Sequence, residues 1–255
     1  MKIAFSNLAA PGWTLDRTVA AAGELGYDGL ELRLLDGEPI EPAGLDPATR
    51  RTAGAALAEV TLVSLDTSIE LTRPFERELE AALELAAEWG TSTVRVFGGT
   101  HDSPLDNIAR RLEPGLDAAE RLGITVALET HDGFARATRV AELLQRVDRP
   151  SLAALWDVHH PYRFGESPHD VVGALGSRIH LVHIKDAVRR GDDWQLVPLG
   201  EGDVPVRESI DALRLGGYDG WMTVEWEKRW HPELAEPEVA LPRELATLRG
   251  WLEAS

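Results

Sequence analysis

The chain has 255 residues, and its 43 acidic and 26 basic side chains give a formal net charge of −17. Such an acidic surface repels phosphate backbones and anionic lipid headgroups, so we expect neither a nucleic-acid nor a membrane partner. The sequence contains no cysteine, which excludes disulfides and cysteine-based zinc sites, and no run approaches the about 18 apolar residues that span a membrane.

Eight short runs of apolar and β-branched residues predict eight strands. In chain order they are Ile3–Ser6, Leu30–Arg33, Thr61–Asp66, Thr93–Phe97, Thr125–Glu129, Leu152–Asp157, Ile179–Lys185 and Trp221–Trp226. The first strand begins almost at the N-terminus, where the residues do not form a signal-peptide pattern, and we therefore expect a cytoplasmic protein.

Helical patterns occupy the gaps between these strands. They include Leu15–Leu25, Pro47–Glu59, Pro74–Trp89, Ile108–Leu122 and Val140–Val147. Alternating strands and helices imply a parallel sheet. Eight such units favour a closed α/β architecture, the (β/α)8 TIM barrel, as a single domain over residues 1–255.

Glycines mark the ends of two predicted helices. Gly90 and Gly123 each stand between a helical pattern and the next strand, where a glycine supplies the left-handed residue that ends a helix. The helix-to-strand connections are therefore short, whereas the strand-to-helix connections are longer and chemically varied. This asymmetry is typical of a barrel whose site lies on one face, and we expect 189–205 to be a long irregular loop over the mouth.

The last four strands each end in a residue that can bind a metal ion. Glu129 and Asp157 end the fifth and sixth strands, and His183 and Glu225 lie near the ends of the seventh and eighth. Because the carboxyl ends of parallel barrel strands converge on one mouth, these four side chains should be neighbours. Each residue alone would be interpreted as a solvated or hydrogen-bonded strand end, but four successive strands with such endings indicate a common site.

A divalent cation would remove the repulsion between the three carboxylates of this group. Oxygen ligands with one imidazole suit Mn²⁺, which we favour, and also Mg²⁺ or Co²⁺, while Zn²⁺ is compatible as well. The sequence therefore predicts one divalent metal ion bound by Glu129, Asp157, His183 and Glu225.

The motifs around these residues resemble those of the xylose isomerase-like barrels in the sugar isomerase and epimerase superfamily. The resemblance covers essentially the whole chain and is carried by Leu128-Glu129-x-His131, Asp157-x-x-His160, His183-Ile184-Lys185-Asp186, Val224-Glu225 and Pro198-Leu199-Gly200-Glu201-Gly202. It implies that the four residues are metal ligands, that Glu129 and Glu225 double as acid and base, and that His160 touches a substrate oxygen. It is also compatible with a homodimer.

This resemblance implies a metal-dependent isomerase or epimerase of carbohydrate metabolism. A small ketose, a polyol-derived ketone or an inosose would bind through its carbonyl and adjacent hydroxyl, and the metal would stabilise the enediolate formed on deprotonation. Glu129 and Glu225 would remove and return the proton. A lyase on the same scaffold is the alternative, either an inosose-type dehydratase or a C-glycoside-cleaving enzyme, with Lys185, His160 or His231 as the general acid.

Side chains on the earlier strands are further candidates for substrate contact. Glu31 and Arg33 lie at the end of the second strand, and Asp66 ends the third. His131 either contacts the ligand or makes structural hydrogen bonds. Arg95 lies inside the fourth strand, and we expect it to neutralise an inward-facing acid.

Residues that follow the last two predicted ligands are also candidates. Lys185 lies on the same face as His183 and either binds or protonates the substrate, or forms an ion pair with Asp157 or Glu225. Trp226 and His231 either contribute to an apolar wall over the mouth or pack against a neighbouring loop or subunit.

Two other functions are less favoured. Resemblance to the AP endonuclease branch implies a three-metal site with additional His and Asp ligands. Strand four here ends Phe97-Gly98-Gly99 without a His, and the loop after strand seven has no Asp-x-His pair. A non-catalytic binding barrel would have no need of two acid–base groups such as Glu129 and Glu225.

Overall fold

The computed structural model describes residues 1–99 and 103–254, and its centre is a closed barrel of eight parallel strands. The strands are β1 (Lys2–Ser6), β2 (Gly29–Leu32), β3 (Leu62–Glu70), β4 (Thr93–Phe97), β5 (Thr125–Glu129), β6 (Leu152–Asp157), β7 (Ile179–Ile184) and β8 (Trp221–Val224). Each strand pairs with its neighbours in chain order, and β1 pairs with both β2 and β8, which closes the barrel. The predicted (β/α)8 fold is confirmed.

A helix follows each strand and packs on the outside of the barrel. The helices are α1 (Leu15–Leu25), α2 (Pro47–Leu57), α3 (Glu76–Trp89), α4 (Leu105–Leu122), α5 (Ala137–Val147), α6 (Pro168–Leu175), α7 (Val206–Leu215) and α8 (Pro237–Glu253). The C-caps of α3 and α4 are Gly90 and Gly123, with φ of 78° and 68°, as predicted. None of the helices in the described parts of the chain combines the length and apolar character that crossing a membrane requires.

The barrel interior has an apolar floor with charged residues directly above it. The floor is a small cluster formed by Ala4, Val63, Ala127, Leu155 and Leu181. Successive residues of a strand point to opposite faces. The residues two positions after Ala127, Leu155 and Leu181 therefore face the barrel interior again. Those positions are Glu129, Asp157 and His183. The alternation of side chains along these strands thus places a polar layer above the apolar floor, at the C-terminal mouth of the barrel.

An antiparallel hairpin, Asp186–Arg190 with Asp193–Val197, follows β7. The prediction of an irregular loop over residues 189–205 is therefore wrong in its first half, because this segment pairs with the residues directly after the strand. The second half is a loop held by one buried carboxylate. Asp186 accepts hydrogen bonds from the backbone N–H groups of Gly200, Gly202 and Val204 at 2.9, 3.0 and 3.2 Å.

Candidate metal and active site

The four predicted metal ligands come together in the mouth of the barrel. Glu129, Asp157, His183 and Glu225 are all buried, and one potential ligand atom from each lies within 4.8 Å of those from the other three. Glu225 follows the last residue of β8, and its N–H donates to the carbonyl of Ile184 at 3.0 Å, which continues the strand pairing. The four side chains are therefore neighbours, as expected from the strand ends, and their role as metal ligands stays a prediction.

The start of the short helix His159–Arg163 fixes the orientation of Asp157. Oδ1 of Asp157 accepts hydrogen bonds from the N–H groups of His159 and His160 at 2.8 and 3.2 Å. Its other oxygen, Oδ2, lies in the mouth, 2.8 Å from Nζ of Lys185. One oxygen of this carboxylate is thus used to hold it in place, and the other faces the candidate ligand cluster.

Lys185 lies among three acidic side chains. Its Nζ is 2.8 Å from Oδ2 of Asp157 and 2.7 Å from Oε2 of Glu225, and it also contacts Oε1 of Glu227. Burial alone would lower the pKa of Lys185, but these carboxylates raise it well above its ordinary value. The ion pair that the sequence left as one alternative for Lys185 is present, and it involves both Asp157 and Glu225.

Arg95 is the second buried cation of the mouth. Its Nε lies 3.3 Å from Oε2 of Glu129, and its Nη2 lies 3.9 Å from Oδ2 of Asp66. Burial lowers the pKa of Arg95, yet Glu129 and Asp66 raise it above its ordinary value overall. Its expected role in neutralising an inward acid agrees with these contacts.

The two glutamates that we expect to act as acid and base have different surroundings. Burial raises the pKa of Glu129, although Arg95 and His183 act in the opposite direction. Burial would also raise the pKa of Glu225, but Lys185 and His183 hold it well below its usual range. The two carboxylates are therefore held by different cations, Glu129 by Arg95 and Glu225 by Lys185.

The donor set is chemically suited to a divalent ion. Three carboxylates and one imidazole match Mn²⁺, Mg²⁺, Co²⁺ or Zn²⁺. Oε2 of Glu129 accepts no hydrogen bond from the residues that the structure describes, although it is buried. Nδ1 of His183 faces Oε1 of Glu225 at 3.2 Å and Oε1 of Glu129 at 3.8 Å. The imidazole nitrogen thus points at the same space as two of the carboxylates.

Two more histidines lie beside Glu129. The ring of His131 is 4.5 Å from that of His160 and 4.6 Å from that of Phe97, measured between centroids. Both histidines can bring a nitrogen close enough to Glu129 to share an ion with it. Burial and the nearby Lys185 lower the pKa of His160 well below its ordinary value, which favours the neutral imidazole. Their predicted contact with substrate stays a prediction.

Of the remaining predicted contacts, Arg33 and Asp66 are buried in the mouth. Nη2 of Arg33 donates to Oγ of Ser68 at 2.7 Å, and burial together with Arg95 lowers the pKa of Arg33 to about 10. Oδ1 of Asp66 accepts a hydrogen bond from Oγ of Ser64 at 2.6 Å. Nη1 of Arg33 donates to the carbonyl of Asp66 at 3.4 Å, and in the described parts of the chain Arg33 forms no ion pair within 4.0 Å.

Trp226 and His231 are not placed together in the mouth. The Trp226 side chain packs in the hydrophobic core, and its indole N–H donates to the carbonyl of Ala235 at 3.0 Å. This corresponds to the alternative of packing against a neighbouring loop and leaves the ring little surface for a substrate. His231 is at the rim, half-exposed, with Nε2 3.8 Å from Oε2 of Glu227.

The sequence interpretation missed two partners of the predicted residues. Glu227 contacts Lys185, and its position two residues after Glu225 on the same face was a usable signal. Glu31 was considered only as a substrate contact, whereas its Oε2 lies 2.8 Å from Nε2 of His183. No spacing rule could have paired these two residues, because they are on strands β2 and β7.

Comparison with known proteins agrees with the barrel fold. The chain matches the family model described as a xylose isomerase-like TIM barrel over residues 19–251. It is 27% identical over 196 residues to an inosose dehydratase of Lacticaseibacillus casei, with 66% of the chain and 65% of that enzyme covered. It is 29% identical over 150 residues to a fructoselysine 3-epimerase of Escherichia coli O157:H7, with 57% of the chain and 53% of the epimerase covered.

The chain thus spans less than two thirds of the length of either relative. Among solved structures, the IolI protein with a bound zinc atom matches with a TM-score of 0.81 at 18% identity, over 98% of the chain and 97% of that structure. This likeness extends the agreement in fold to nearly the complete barrel. With the family model covering most of its length, the chain belongs to the xylose isomerase-like TIM barrel family.

Proposed function

We propose that the protein is a divalent-metal-dependent isomerase or epimerase that acts on a small ketose, a polyol-derived ketone or an inosose. The observation that carries this proposal is the convergence of Glu129, Asp157, His183 and Glu225 in one buried cluster. Two of these four residues are glutamates, and both can serve as proton acceptors and donors. The fructoselysine 3-epimerase among the relatives supports this class of reaction.

A bound divalent ion, with Mn²⁺ as our first choice, would polarise the substrate carbonyl and stabilise the enediolate formed on deprotonation. One of Glu129 and Glu225 would take the proton from the carbon next to the carbonyl, and the other would return a proton to give the product. Lys185 keeps the Glu225 carboxylate ionised and oriented. Asp66, Arg33, His131 and His160 surround the cluster and would bind substrate hydroxyls.

The test is a metal-dependence screen with isotope exchange as the readout. The protein would be stripped with a chelator and supplied singly with Mn²⁺, Mg²⁺, Co²⁺ or Zn²⁺. Solvent deuterium incorporation into a panel of ketoses and inososes would then be followed by NMR. We expect metal-dependent exchange at the carbon next to the carbonyl, and its loss in both Glu129→Gln and Glu225→Gln, which remove the proton acceptor but keep the side-chain volume.

A matched control is Glu88→Gln on the outer helix α3, where Glu88 pairs with Arg50 at 2.8 Å away from the barrel mouth. This variant should exchange deuterium at the wild-type rate. A fully active Glu225→Gln variant would contradict the acid–base assignment, and failure of the wild-type chain to bind any of the four metals would contradict the four-ligand site.

A lyase is the second candidate, supported by the inosose dehydratase relative and by the position of Lys185. An ammonium group within 2.8 Å of two ligand carboxylates is suitably placed to protonate a leaving hydroxyl, with His160 and His231 as other acids. Mass spectrometry of the same reaction mixtures distinguishes the two reactions. Loss of one water from the substrate indicates the dehydratase, whereas a product that keeps this water and gains only the mass of the incorporated deuterium indicates the isomerase or epimerase.

The biological setting follows from the same proposal. We expect a small carbohydrate or cyclitol as the only class of partner besides the metal, with no nucleic acid and no membrane. A cytoplasmic location and a homodimer stay predictions, which fractionation and light scattering would test.

A further inference from the structure

Behind His183, on the side away from the candidate metal cluster, lies a buried carboxylate. Oε2 of Glu31 is 2.8 Å from Nε2 of His183, and Oε1 of Glu31 accepts a hydrogen bond from Oγ1 of Thr223 at 2.7 Å. All three side chains are fully buried. Both oxygens of Glu31 are therefore engaged, one by the imidazole and one by the hydroxyl that holds the carboxylate in place.

The two nitrogens of His183 thus face different surroundings. Nε2 faces Glu31, whereas Nδ1 faces Oε1 of Glu225 at 3.2 Å and Oε1 of Glu129 at 3.8 Å. A nitrogen that binds a metal must offer a lone pair, so the other nitrogen of a neutral imidazole carries the hydrogen. A carboxylate at hydrogen-bond distance from Nε2 stabilises the tautomer with hydrogen there, because the other tautomer would set a lone pair against the carboxylate oxygen.

We propose that Glu31 is a positioning residue that holds the Nε2–H tautomer and the ring orientation of His183, so that Nδ1 is presented to a divalent ion. This inference rests on the metal site of the proposed function and extends it by one residue. Partners of this kind raise the basicity of the ligand and fix its direction. The residue acts only through His183 and does not touch the ion or the substrate.

A competing possibility is that Glu31 itself binds a second ion together with Asp66 and His183, since these three side chains are also close enough to share one. The contacts favour the positioning role. Oε1 of Glu31 accepts a hydrogen bond from Thr223, Oε2 lies at hydrogen-bond distance from Nε2 of His183, and Oδ2 of Asp66 lies 3.9 Å from the guanidinium of Arg95. A fixed cation beside Asp66 disfavours a second divalent cation at the same place.

The experiment measures binding of metal alone to Glu31→Gln. Titration calorimetry with Mn²⁺ and with Zn²⁺ should give one site in the wild-type protein and an affinity about 10- to 100-fold weaker in the variant, which is the usual effect of losing such a partner. Nitrogen NMR of the zinc-loaded proteins with labelled histidine supplies a second readout. Zinc on Nδ1 leaves the hydrogen on Nε2 in both proteins, so the readout is the resonance of this Nε2–H proton. It should lie far downfield in the wild-type protein, where Nε2 faces the Glu31 carboxylate, and should move upfield in the variant.

Two variants of Thr223 keep the inference testable if Glu31→Gln fails to fold. Thr223→Val removes the hydroxyl that holds Glu31 and should weaken metal binding by a smaller factor, whereas Thr223→Ser keeps that hydroxyl and should retain the wild-type affinity. Weakening by Thr223→Ser as large as by Thr223→Val would indicate a purely steric effect and overturn the inference.

The outcomes separate this inference from the proposed function. Wild-type metal affinity and an unchanged Nε2–H proton resonance in Glu31→Gln would overturn the positioning role while leaving the four-ligand site intact. Two ions bound to the wild-type protein, with one lost in Glu31→Gln, would overturn it in favour of direct ligation. A wild-type protein that binds neither Mn²⁺ nor Zn²⁺ would overturn both.

Discussion

Replacement of Lys185 by methionine should make the protein less stable without metal and more responsive to metal. Nζ of Lys185 lies 2.7 Å from Glu225 and 2.8 Å from Asp157, two of the proposed ligands, and only 4% of its side chain is exposed. Removing the ammonium leaves these carboxylates without their cation. It also removes a positive charge that opposes the entry of a metal ion at the same oxygens.

The magnitude can be worked from these contacts. Removing one partner of a buried ion pair costs roughly 3–5 kcal/mol. For a chain of this size each kcal/mol lowers Tm by about 2–4 °C, so the metal-free Lys185→Met variant should melt about 6–20 °C below the wild-type protein. A metal ion at about 100 times its Kd stabilises a protein by about 2.7 kcal/mol, which is about 5–11 °C. We expect a shift of this size in the wild-type protein and a shift several degrees larger in Lys185→Met.

The assay is calorimetric melting of both proteins in chelator and in Mn²⁺ at pH 8. Lys228→Met is the matched control, because Nζ of Lys228 pairs at 3.0 Å with Glu236, a side chain that is 69% exposed. Its metal-induced shift should equal that of the wild-type protein. Equal metal-induced shifts in Lys185→Met and the wild-type protein would refute the idea that Lys185 compensates the ligand carboxylates in the metal-free state.

Three further changes test the scaffold, each by equilibrium unfolding. Burial raises the pKa of Glu244 to about 7 despite a hydrogen bond from the N–H of Leu199. The folded protein therefore binds this proton more tightly than the unfolded chain, so the contribution to stability is present below about pH 4.5 and is lost as the pH rises through about 7. Glu244→Gln should gain stability relative to the wild-type protein between pH 5 and pH 8, and a difference that does not change with pH would contradict this. Gly98→Ala should lose at least about 1–3 kcal/mol, because an added Cβ would lie 2.0 Å from Cδ2 of the buried Phe134; an unchanged free energy of unfolding would contradict this packing. Leu181→Ala should lose about 2–5 kcal/mol by opening a cavity in the barrel floor, and a loss below that range would mean that the floor collapses around it.

The fold could be predicted from the sequence because each element carries a local signal. β4, β5 and β6 begin and end at the predicted residues, and α1 does as well. The hairpin after β7 could not be predicted, because Asp193–Val197 is identified as a strand only by its pairing with Asp186–Arg190. That pairing depends on tertiary contacts, which a local pattern does not contain.

The candidate site also has a part that the sequence could predict and a part that it could not. The positions of the four proposed ligands follow from the strand ends and from the period of two along a strand, so sequence reasoning could bring these side chains together. The hydrogen bond between Glu31 and His183 crosses the barrel interior and needs the closed structure. For Trp226, the sequence allows a wall over the mouth as well as packing against a neighbouring loop, and the side chain packs in the core. Composition alone does not tell which side of a strand end the ring faces.

The difference between the two buried cations, Arg95 and Lys185, explains how an ion pair and a catalytic role of Lys185 are compatible. Arg95 pairs with Glu129 and also faces Asp66, and a guanidinium stays charged and rigidly oriented. Lys185 has a flexible stem and contacts Glu227 in addition to the two ligand carboxylates. If an ion binds as proposed, the ammonium is the group that can give way, and it keeps one carboxylate partner when it does so.

The ion pair of Lys185 and its proposed catalytic role would then belong to successive states of one site. In the structure, the ammonium lies between the carboxylates of Asp157 and Glu225, the place where the proposed ion would bind. If an ion displaced the ammonium from those two carboxylates, Glu227 would be its remaining partner, and from there the ammonium would be available to protonate a substrate oxygen. Under the proposed function, the same side chain would therefore preform the metal site and also supply the acid that distinguishes dehydration from epimerisation.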